Sequence, residues 1–438
     1  MSDVKVKPGI LSGFMELLPG KQKIFDNMQA TLREVFSSYG FYGLDTPVLE
    51  RTEILLAKGG GETEKQVYRF DRGDTDITMR YDLTVPLARY VAEHYSDLSF
   101  PFKRYQIGKV YRGERSQKGR FREFYQCDID IIGDGKLSVL NEAECPAVMA
   151  EALTALGIPD FKIRINNRKL LNGLFEIYGV QDKKTEILRA VDKIEKIGRE
   201  KVIEELKENG LAEENAADIL DTVTFGKSSA ETEEMLSSFA GKSALFDEGV
   251  SDLKRVMDAM RSLGVKEENF GYDLSIARGL DYYTGSVYET QFTPDPSIGS
   301  ICSGGRYDDL AGYFTDRPLP GVGMSIGLTR LFYILNEKEY FKDEAGSAAE
   351  VLFIPMTDDM DKALSFSAQL RSAGVRVQTY YEDKKFKKKM DYANKLGIPF
   401  VALLGEDEIK EGKISLKDMR SGEQAMLDIK EAAARIKA

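Results

Sequence analysis

The chain has 438 residues, enough for about three domains at roughly 150 residues each, so a small module stapled by disulfides is excluded. Its 61 Lys and Arg against 72 Asp and Glu give a net charge of −11, and any nucleic-acid contact must therefore come from local basic patches. Three cysteines (Cys127, Cys145, Cys302) with no CxxC spacing and a single histidine, His94, argue against disulfide frameworks, thiolate zinc sites, multi-histidine metal centres and Ser-His-Asp chemistry.

The N-terminus MSDVKVKPGI lacks the apolar core of a signal peptide, and no apolar run reaches the roughly 20 residues that span a bilayer; a cytoplasmic protein is expected. KQKIFDNMQATLREVFSSYG repeats Ile24, Met28, Leu32, Val35 and Phe36 at three- and four-residue steps, predicting a helix with one buried face, closed by Gly40. FYGLDTPVLE follows as a short extended segment in which Pro47 marks a sheet edge or interface. QVYRF and DITMR flank DRGDT as a hairpin turning at Gly73. In the next helix, from about Thr84 to Tyr95, His94 follows Leu87 and Val91 at helical steps and reads as a structural or surface residue.

FKRYQIGKVYRG and FREFYQCDIDIIG, rich in aromatic and β-branched residues, predict two long strands joined by the cationic tip ERSQKGR. From about Pro159 to Lys266 one strand, FKIRI, precedes charge-rich amphipathic helices, which read as an inserted helical module. Strand-like, glycine-rich segments resume at GYDLSIARGLDYYTGSVYETQF and SICSGGRYDDL, and PGVGMSIGLTRLFYIL joins a strand to a helix at Gly327. Beyond a polar linker, VLFIPM, VRVQTYY, PFVALLG and KISLKDM alternate with helical stretches, predicting a small α/β domain with a mostly parallel sheet.

Pro101 to Tyr125 carries eight basic and two acidic residues on an otherwise acidic chain. Read alone, that run suits either a solvated hairpin or a polyanion site. Arg104 and Arg112 share a strand parity, so an arginine turned into a sheet face needs an anion to meet it. The glycines at 304–305 and 321–327 are expected to let backbone approach a nucleotide. Neither GxxxxGK[ST] nor GxGxxG in a strand-to-helix setting is present, so a bound ATP must be gripped by arginines on a sheet.

These residues carry a resemblance. VYRGERSQKGRFREFYQCDIDIIG resembles motif 2 of the class II aminoacyl-tRNA synthetases, in the form used by the histidyl-tRNA synthetase family. ARGLDYYTGSVYE resembles that family's histidine-specific signature, and GVGMSIGLTRL resembles motif 3 with its arginine at Arg330. FYGLDTPVLE is similar to motif 1, whose proline, here Pro47, lies in the dimer interface, and TMRYDLTVPLARY to the segment lining the amino-acid pocket. The resemblance implies an α+β fold: a class II catalytic domain with an antiparallel β-sheet flanked by helices, a helical insertion and a C-terminal α/β anticodon-binding domain. The expected boundaries are 1–158 and 267–338 for the two parts of the catalytic domain, 159–266 for the insertion, 339–347 for a linker and 348–438 for the anticodon-binding domain.

The implied activity is ATP-dependent attachment of L-histidine to tRNA(His) through a histidyl-adenylate, releasing pyrophosphate and then AMP, by a homodimer. An α-carboxylate, with an unperturbed pKa of about 3.5, is already ionised, so positioning and charge stabilisation carry the chemistry. By analogy Arg112 bridges that carboxylate and the α-phosphate, Arg278 stabilises the α-phosphate, and Arg330 holds the γ-phosphate of a bent ATP. Glu114 is a candidate for the adenine, and Mg2+ neutralises the β- and γ-phosphates. Asp82, Thr84 and Gln126 are expected around the α-amino group and Asp130 with Tyr283 at the imidazole, with Tyr282 and Tyr307 as walls. Arg112 and Arg278 also face the amino acid.

The motif 2 loop, with Arg115, Gln117, Lys118 and Arg120, is expected to read the acceptor end of the tRNA. Lys384, Lys385, Lys387, Lys388 and Lys389 suit RNA phosphates, although alone they also fit a solubilising helix face. The rival reading is a non-catalytic, histidine-sensing regulatory paralogue that assists ATP phosphoribosyltransferase. That paralogue typically loses parts of the RGLDYY signature and the anticodon domain, and both are present here.

Overall fold

The computed structural model describes residues 6–57, 62–115, 119–158, 160–191, 193–224, 226, 228–276, 283–341 and 346–438. The chain forms two compact units, residues 1–15 with 28–338 and residues 16–27 with 339–438.

The first unit holds β1 (Tyr42–Gly43), β2 (Leu49–Arg51), β3 (Arg69–Arg72), β4 (Thr75–Met79), β5 (Phe102–Tyr111), β6 (Glu123–Ile132), β7 (Phe161–Asn167), β8 (Phe270–Tyr272), β9 (Ser286–Phe292), β10 (Ser300–Tyr307) and β11 (Gly321–Gly327). Eight of them make one sheet in the order β1-β5-β6-β11-β10-β9-β7-β8. Its pairings are antiparallel except β1 with β5 and β7 with β8. The hairpin at Gly73 (φ 59°) forms as expected but belongs to a separate three-stranded sheet, β2-β4-β3. The strand expected at the head of the helical module, β7, instead pairs with β9 and β8 inside the main sheet. Its alternation of buried Phe161, Ile163 and Ile165 with half-buried Lys162 and Arg164 gives it a buried face there.

The helix Pro19–Ser38 buries Ile24, Met28, Leu32, Val35 and Phe36 on the face their spacing predicts, and Gly40 follows it at φ 77°. The helix Thr84–Glu93 starts where Asp82 Oδ1 accepts the Val85 N–H at 3.1 Å. His94 ends that helix, partly exposed and packed on the Tyr90 ring at 4.6 Å.

Two later helices, Arg168–Ile177 and Ala244–Ser262, meet backbone to backbone. A Cβ on Gly173 would lie 2.2 Å from Phe246 N, and one on Gly249 would lie 2.2 Å from Leu170 N. Alanine gains about 1 kcal/mol of helix propensity over glycine, but overpacking against backbone costs about 1–3 kcal/mol and there is no flexible side chain to give way. Gly249→Ala is therefore expected to lower the urea midpoint of unfolding; an unchanged midpoint would contradict the close crossing.

The second unit is built on β12 (Val351–Pro355), β13 (Val377–Thr379), β14 (Phe400–Leu404), β15 (Ile414–Asp418) and β16 (Gln424–Leu427), in the order β13-β12-β14-β15-β16. β12 is buried on both faces, as its unbroken apolar run requires. Val351 and Phe353 pack with Ala363, Phe366, Leu370, Ala432 and Ile436 of two helices, while Leu352 and Ile354 pack with Ala393 and Ile398 on the other side. The sheet is mixed where a mostly parallel one was expected: β12 is parallel to β13 and β14, but β14-β15 and β15-β16 are antiparallel. A tight turn explains the second of these, since Asp418 Oδ1 accepts the N–H groups of Arg420 and Ser421 and Gly422 takes φ 78°, folding Gln424–Leu427 back as a hairpin strand. The last helix, Ile429–Lys437, opens with a capping box between Asp428 and Glu431.

Candidate active site

One face of the main sheet forms the floor of a cleft of about 450 Å³. The cleft brings together Asp82, Thr84, Arg112, Glu114, Arg120, Gln126, Asp130, Tyr283, Tyr307 and Arg330, all of which the sequence had singled out. Arg115 is exposed in the motif 2 loop and does not line it. Arg278, Tyr282, Gln117 and Lys118 lie outside the described residues.

Strand register determines the floor. Gln126, Asp128 and Asp130 alternate along β6 and so share one face. Across the sheet, Asp130 pairs with Arg104 on β5 and Gly323 on β11, and Gly323 pairs with Gly305 on β10. In the next row Asp128 is level with Gln106, Ser325, Ser303 and Glu289, a polar rung across five strands.

Three of these glycines leave room for side chains of the protein itself, a need the sequence did not show. A Cβ on Gly323 would sit 2.1 Å from Asp130 Oδ1, one on Gly305 would sit 2.8 Å from the Tyr283 ring, and one on Gly321 would sit 2.4 Å from the Tyr307 ring. Asp130 and Tyr283 thus lie over adjoining bare positions of the floor.

The anion that Arg104 requires is supplied by the protein. Arg104 is fully buried, with its guanidinium 2.8 Å from Asp130 Oδ2. Asp130 Oδ1 accepts the Tyr307 hydroxyl at 2.6 Å. Burial pushes Asp130 up to about 7 and Asp82 up to about 6, against the pull of Arg104 on the first and of the Val85 N–H and Arg112 on the second. Asp128, also buried, is shifted in the same direction. Three carboxylates therefore gather at this end; of the guanidinium groups that pull on them, Arg104 is buried beside Asp130, Arg80 is itself paired with Asp45 at 3.2 Å and Arg112 belongs to the other end, so this end of the cleft favours a cation.

Two acceptors are left over. Gln126 donates its amide to Ser325 Oγ at 2.9 Å, yet its Oε1 and Asp128 Oδ1 are buried with no hydrogen-bond partner among the described residues. Unpaired buried acceptors are costly and rare, so these two mark where a ligand's donors belong. Asp128 was missed in the sequence, although its parity with Gln126 and Asp130 was a usable signal.

The other end is cationic. Arg112 donates Nε to Tyr81 O at 3.0 Å and stacks on Phe124 at 5.2 Å. Arg330, from the first turn of the helix Leu328–Glu337, donates to the carbonyls of Ser300 and Ile298. Burial and the nearby charge of Arg120 lower its pKa, and an anion placed between them would relieve that repulsion. Glu114 lies 3.6 Å from Arg120, an ion pair open to solvent. Among the described residues no cluster of three or more His, Cys, Asp or Glu side chains has metal-ligand spacing.

A mainly antiparallel sheet whose cleft has arginines at one end and buried carboxylates at the other, on a chain that also carries a separate α/β domain, defines a class II aminoacyl-tRNA synthetase fold. A family model described as Histidyl-tRNA synthetase matches residues 13–331, and one described as Anticodon binding domain matches residues 350–438. The chain belongs to the histidyl-tRNA synthetase family. It is 52% identical to the Histidine--tRNA ligase of Clostridium tetani, covering 99% of this chain and 98% of that one, and 47% identical to that of Finegoldia magna, covering 99% and 100%. The crystal structure of a histidyl-tRNA synthetase from a Nostoc species matches at TM-score 0.90 and 40% identity, over 99% of each chain.

Proposed function

We propose that this chain activates L-histidine with ATP to a histidyl-adenylate, releasing pyrophosphate, and then transfers the histidyl group to tRNA(His), releasing AMP. The observation that carries the reading is the polarity of one cleft, with orphaned acceptors and buried carboxylates at one end and Arg112, Arg120 and Arg330 at the other.

A histidine placed with its ammonium toward Asp82, Thr84 and Gln126 directs its carboxylate to Arg112, and its imidazole lies over the glycine floor between Asp130 and Tyr283. The imidazole's donor and acceptor are then both matched, and a side chain lacking either would strand a buried group. The carboxylate attacks the α-phosphorus of ATP already ionised, so no residue needs to remove a proton. Arg112 and Arg278 hold the attacking and receiving groups in line, Arg330 binds the γ-phosphate, and Glu114 faces the adenine. Phosphate oxygens and one or two carboxylates suffice for magnesium, which suits a cleft whose described residues form no protein-only cage. Glu289, about a quarter exposed and lining the cleft, would hold it, and when bound it would neutralise charge on the leaving pyrophosphate.

Because an ionised Asp82 is the acceptor for the ammonium, kcat/KM for histidine is expected to rise as pH increases through about 6, with the free imidazole's own titration as the background. Asp82→Asn should lower kcat/KM and remove the part of the rise near pH 6, leaving what the imidazole and Asp130, pushed up to about 7, contribute; an unchanged profile would take Asp82 off the ammonium.

The chain is further proposed to act as a cytoplasmic homodimer. Tyr42, Leu49 and Phe70, exposed by 73%, 47% and 44%, offer apolar surface around the motif 1 segment for a second copy, and no helix among the described residues is long and apolar enough to cross a membrane. Arg115, Gln117, Lys118 and Arg120 would meet the acceptor end, while the exposed lysines 384, 385, 387 and 388, with the half-buried Lys389, suit phosphates of the same RNA. Exchanging Lys387, Lys388 and Lys389 for alanine should raise KM for tRNA(His), more so at higher salt, and leave histidine-dependent pyrophosphate exchange unaltered. Equal loss in both assays would argue that the lysines serve the fold.

A further inference from the structure

Three buried carboxylates reach the cleft, but their oxygens are not equally committed. Asp130 is held by Arg104 at 2.8 Å and by Tyr307 at 2.6 Å. Asp82 uses Oδ1 to accept the Val85 N–H at the start of a helix. Asp128 is 3% exposed and lines the cavity, and its Oδ1 has no hydrogen-bond partner among the described residues. Two residues away on the same strand face, Gln126 Oε1 is orphaned in the same way. Ser325 joins them: it accepts from Gln126 Nε2 at 2.9 Å, and its hydroxyl interacts with the Asp128 carboxylate opposite it in the strand register. The amide nitrogen is thereby committed to Ser325, and the amide oxygen is the atom left over.

An arrangement with a carboxylate oxygen and an amide oxygen both unpaired, buried and on one strand face of the same cleft calls for a compact donor with several N–H bonds and a positive charge. A primary ammonium has that chemistry; a phosphate or carboxylate does not. We infer that Asp128, oriented with Gln126 through Ser325, is a further substrate-binding carboxylate of this cleft, accepting the α-ammonium of the amino acid. The inference rests on the activity proposed above and adds to it the residue that supplies the ammonium's uncommitted negative partner. It also gives Ser325 a positioning role.

Two ligands separate the possible roles. L-Histidinol keeps the ammonium and the imidazole but lacks the carboxylate; 3-(imidazol-4-yl)propionate keeps the imidazole and the carboxylate but lacks the ammonium. Binding of each to the full-length protein is measured by calorimetry for the wild type, Asp128→Asn and Asp128→Ala, so that a folding defect in one variant leaves the other. Losing a charge-assisted hydrogen bond should weaken histidinol on the order of 10- to 100-fold while the propionate changes by no more than about twofold. Ser325→Ala should show the same selectivity with a smaller loss, because Gln126 and Asp128 are freed but not removed. Equal weakening of both ligands, or no weakening of histidinol, would overturn the inference. Histidine-dependent pyrophosphate exchange by the wild type is run alongside. If it is absent, the proposed activity fails; if it is present without the ligand selectivity, the role of Asp128 alone fails.

Discussion

Replacing Arg112 with alanine is expected to lower kcat for histidine-dependent pyrophosphate exchange by about 10²- to 10³-fold, the usual cost of removing one preorganised donor from a developing negative charge. The residue is held as the proposed role requires. Its Nε is tied to Tyr81 O at 3.0 Å and its plane stacks on Phe124, so the terminal nitrogens are presented to the cleft with little freedom left to lose on binding. Arg112→Lys should recover only a small part of the rate, since a lysine brings a point charge without the planar fork. The measurement is exchange at saturating histidine and ATP, with circular dichroism to show that the fold is kept. A variant within about threefold of wild type would remove Arg112 from the reacting groups.

Gly323→Ala is expected to be as damaging, by a different route. The added Cβ would lie 2.1 Å from Asp130 Oδ1 and 2.7 Å from Ile129 O. Asp130 has nowhere to retreat, since Arg104 and Tyr307 hold its two oxygens. Either the carboxylate leaves that network or strands β6 and β11 move apart, and overpacking of this kind costs about 1–3 kcal/mol in stability. Where the fold survives, KM for histidine should rise on the order of 100-fold, the equivalent of about 3 kcal/mol for a lost hydrogen bond to a charged group, while KM for ATP stays near its wild-type value. Parallel losses for both substrates would show that the glycine serves the sheet as a whole.

Much of this architecture was legible in the sequence because one period dominates each segment. The helix Pro19–Ser38 and the long hairpin β5-β6 follow from spacing alone, and the order of the motifs brings ten of the candidate side chains to one cleft. What could not be read was pairing between distant segments. That β7 joins the main sheet depends on its partners β9 and β8, more than 100 residues away in the chain, and a strand pattern does not name its neighbour. The hairpin strand Gln424–Leu427 is four residues of mixed polarity beside a helix, too short for periodicity to declare.

The site's omissions have the same origin. The need for an anion at Arg104 was visible from parity, but that Asp130 answers it requires the β5-β6 register. The glycines of β10 and β11 suggested a nucleotide, and the sequence did not show that the space beside Gly323, Gly305 and Gly321 is taken by Asp130, Tyr283 and Tyr307. A sequence shows that a Cβ is missing; only the register across four strands shows what occupies its place.

The most direct test of the central claim is exchange of labelled pyrophosphate into ATP by the full-length protein, run separately with each of the twenty amino acids. The cleft predicts exchange with L-histidine well above every other amino acid, because only an imidazole satisfies both sides of a slot floored by Gly323 and Gly305. Exchange driven equally well by another amino acid, or none with any of the twenty, would contradict it.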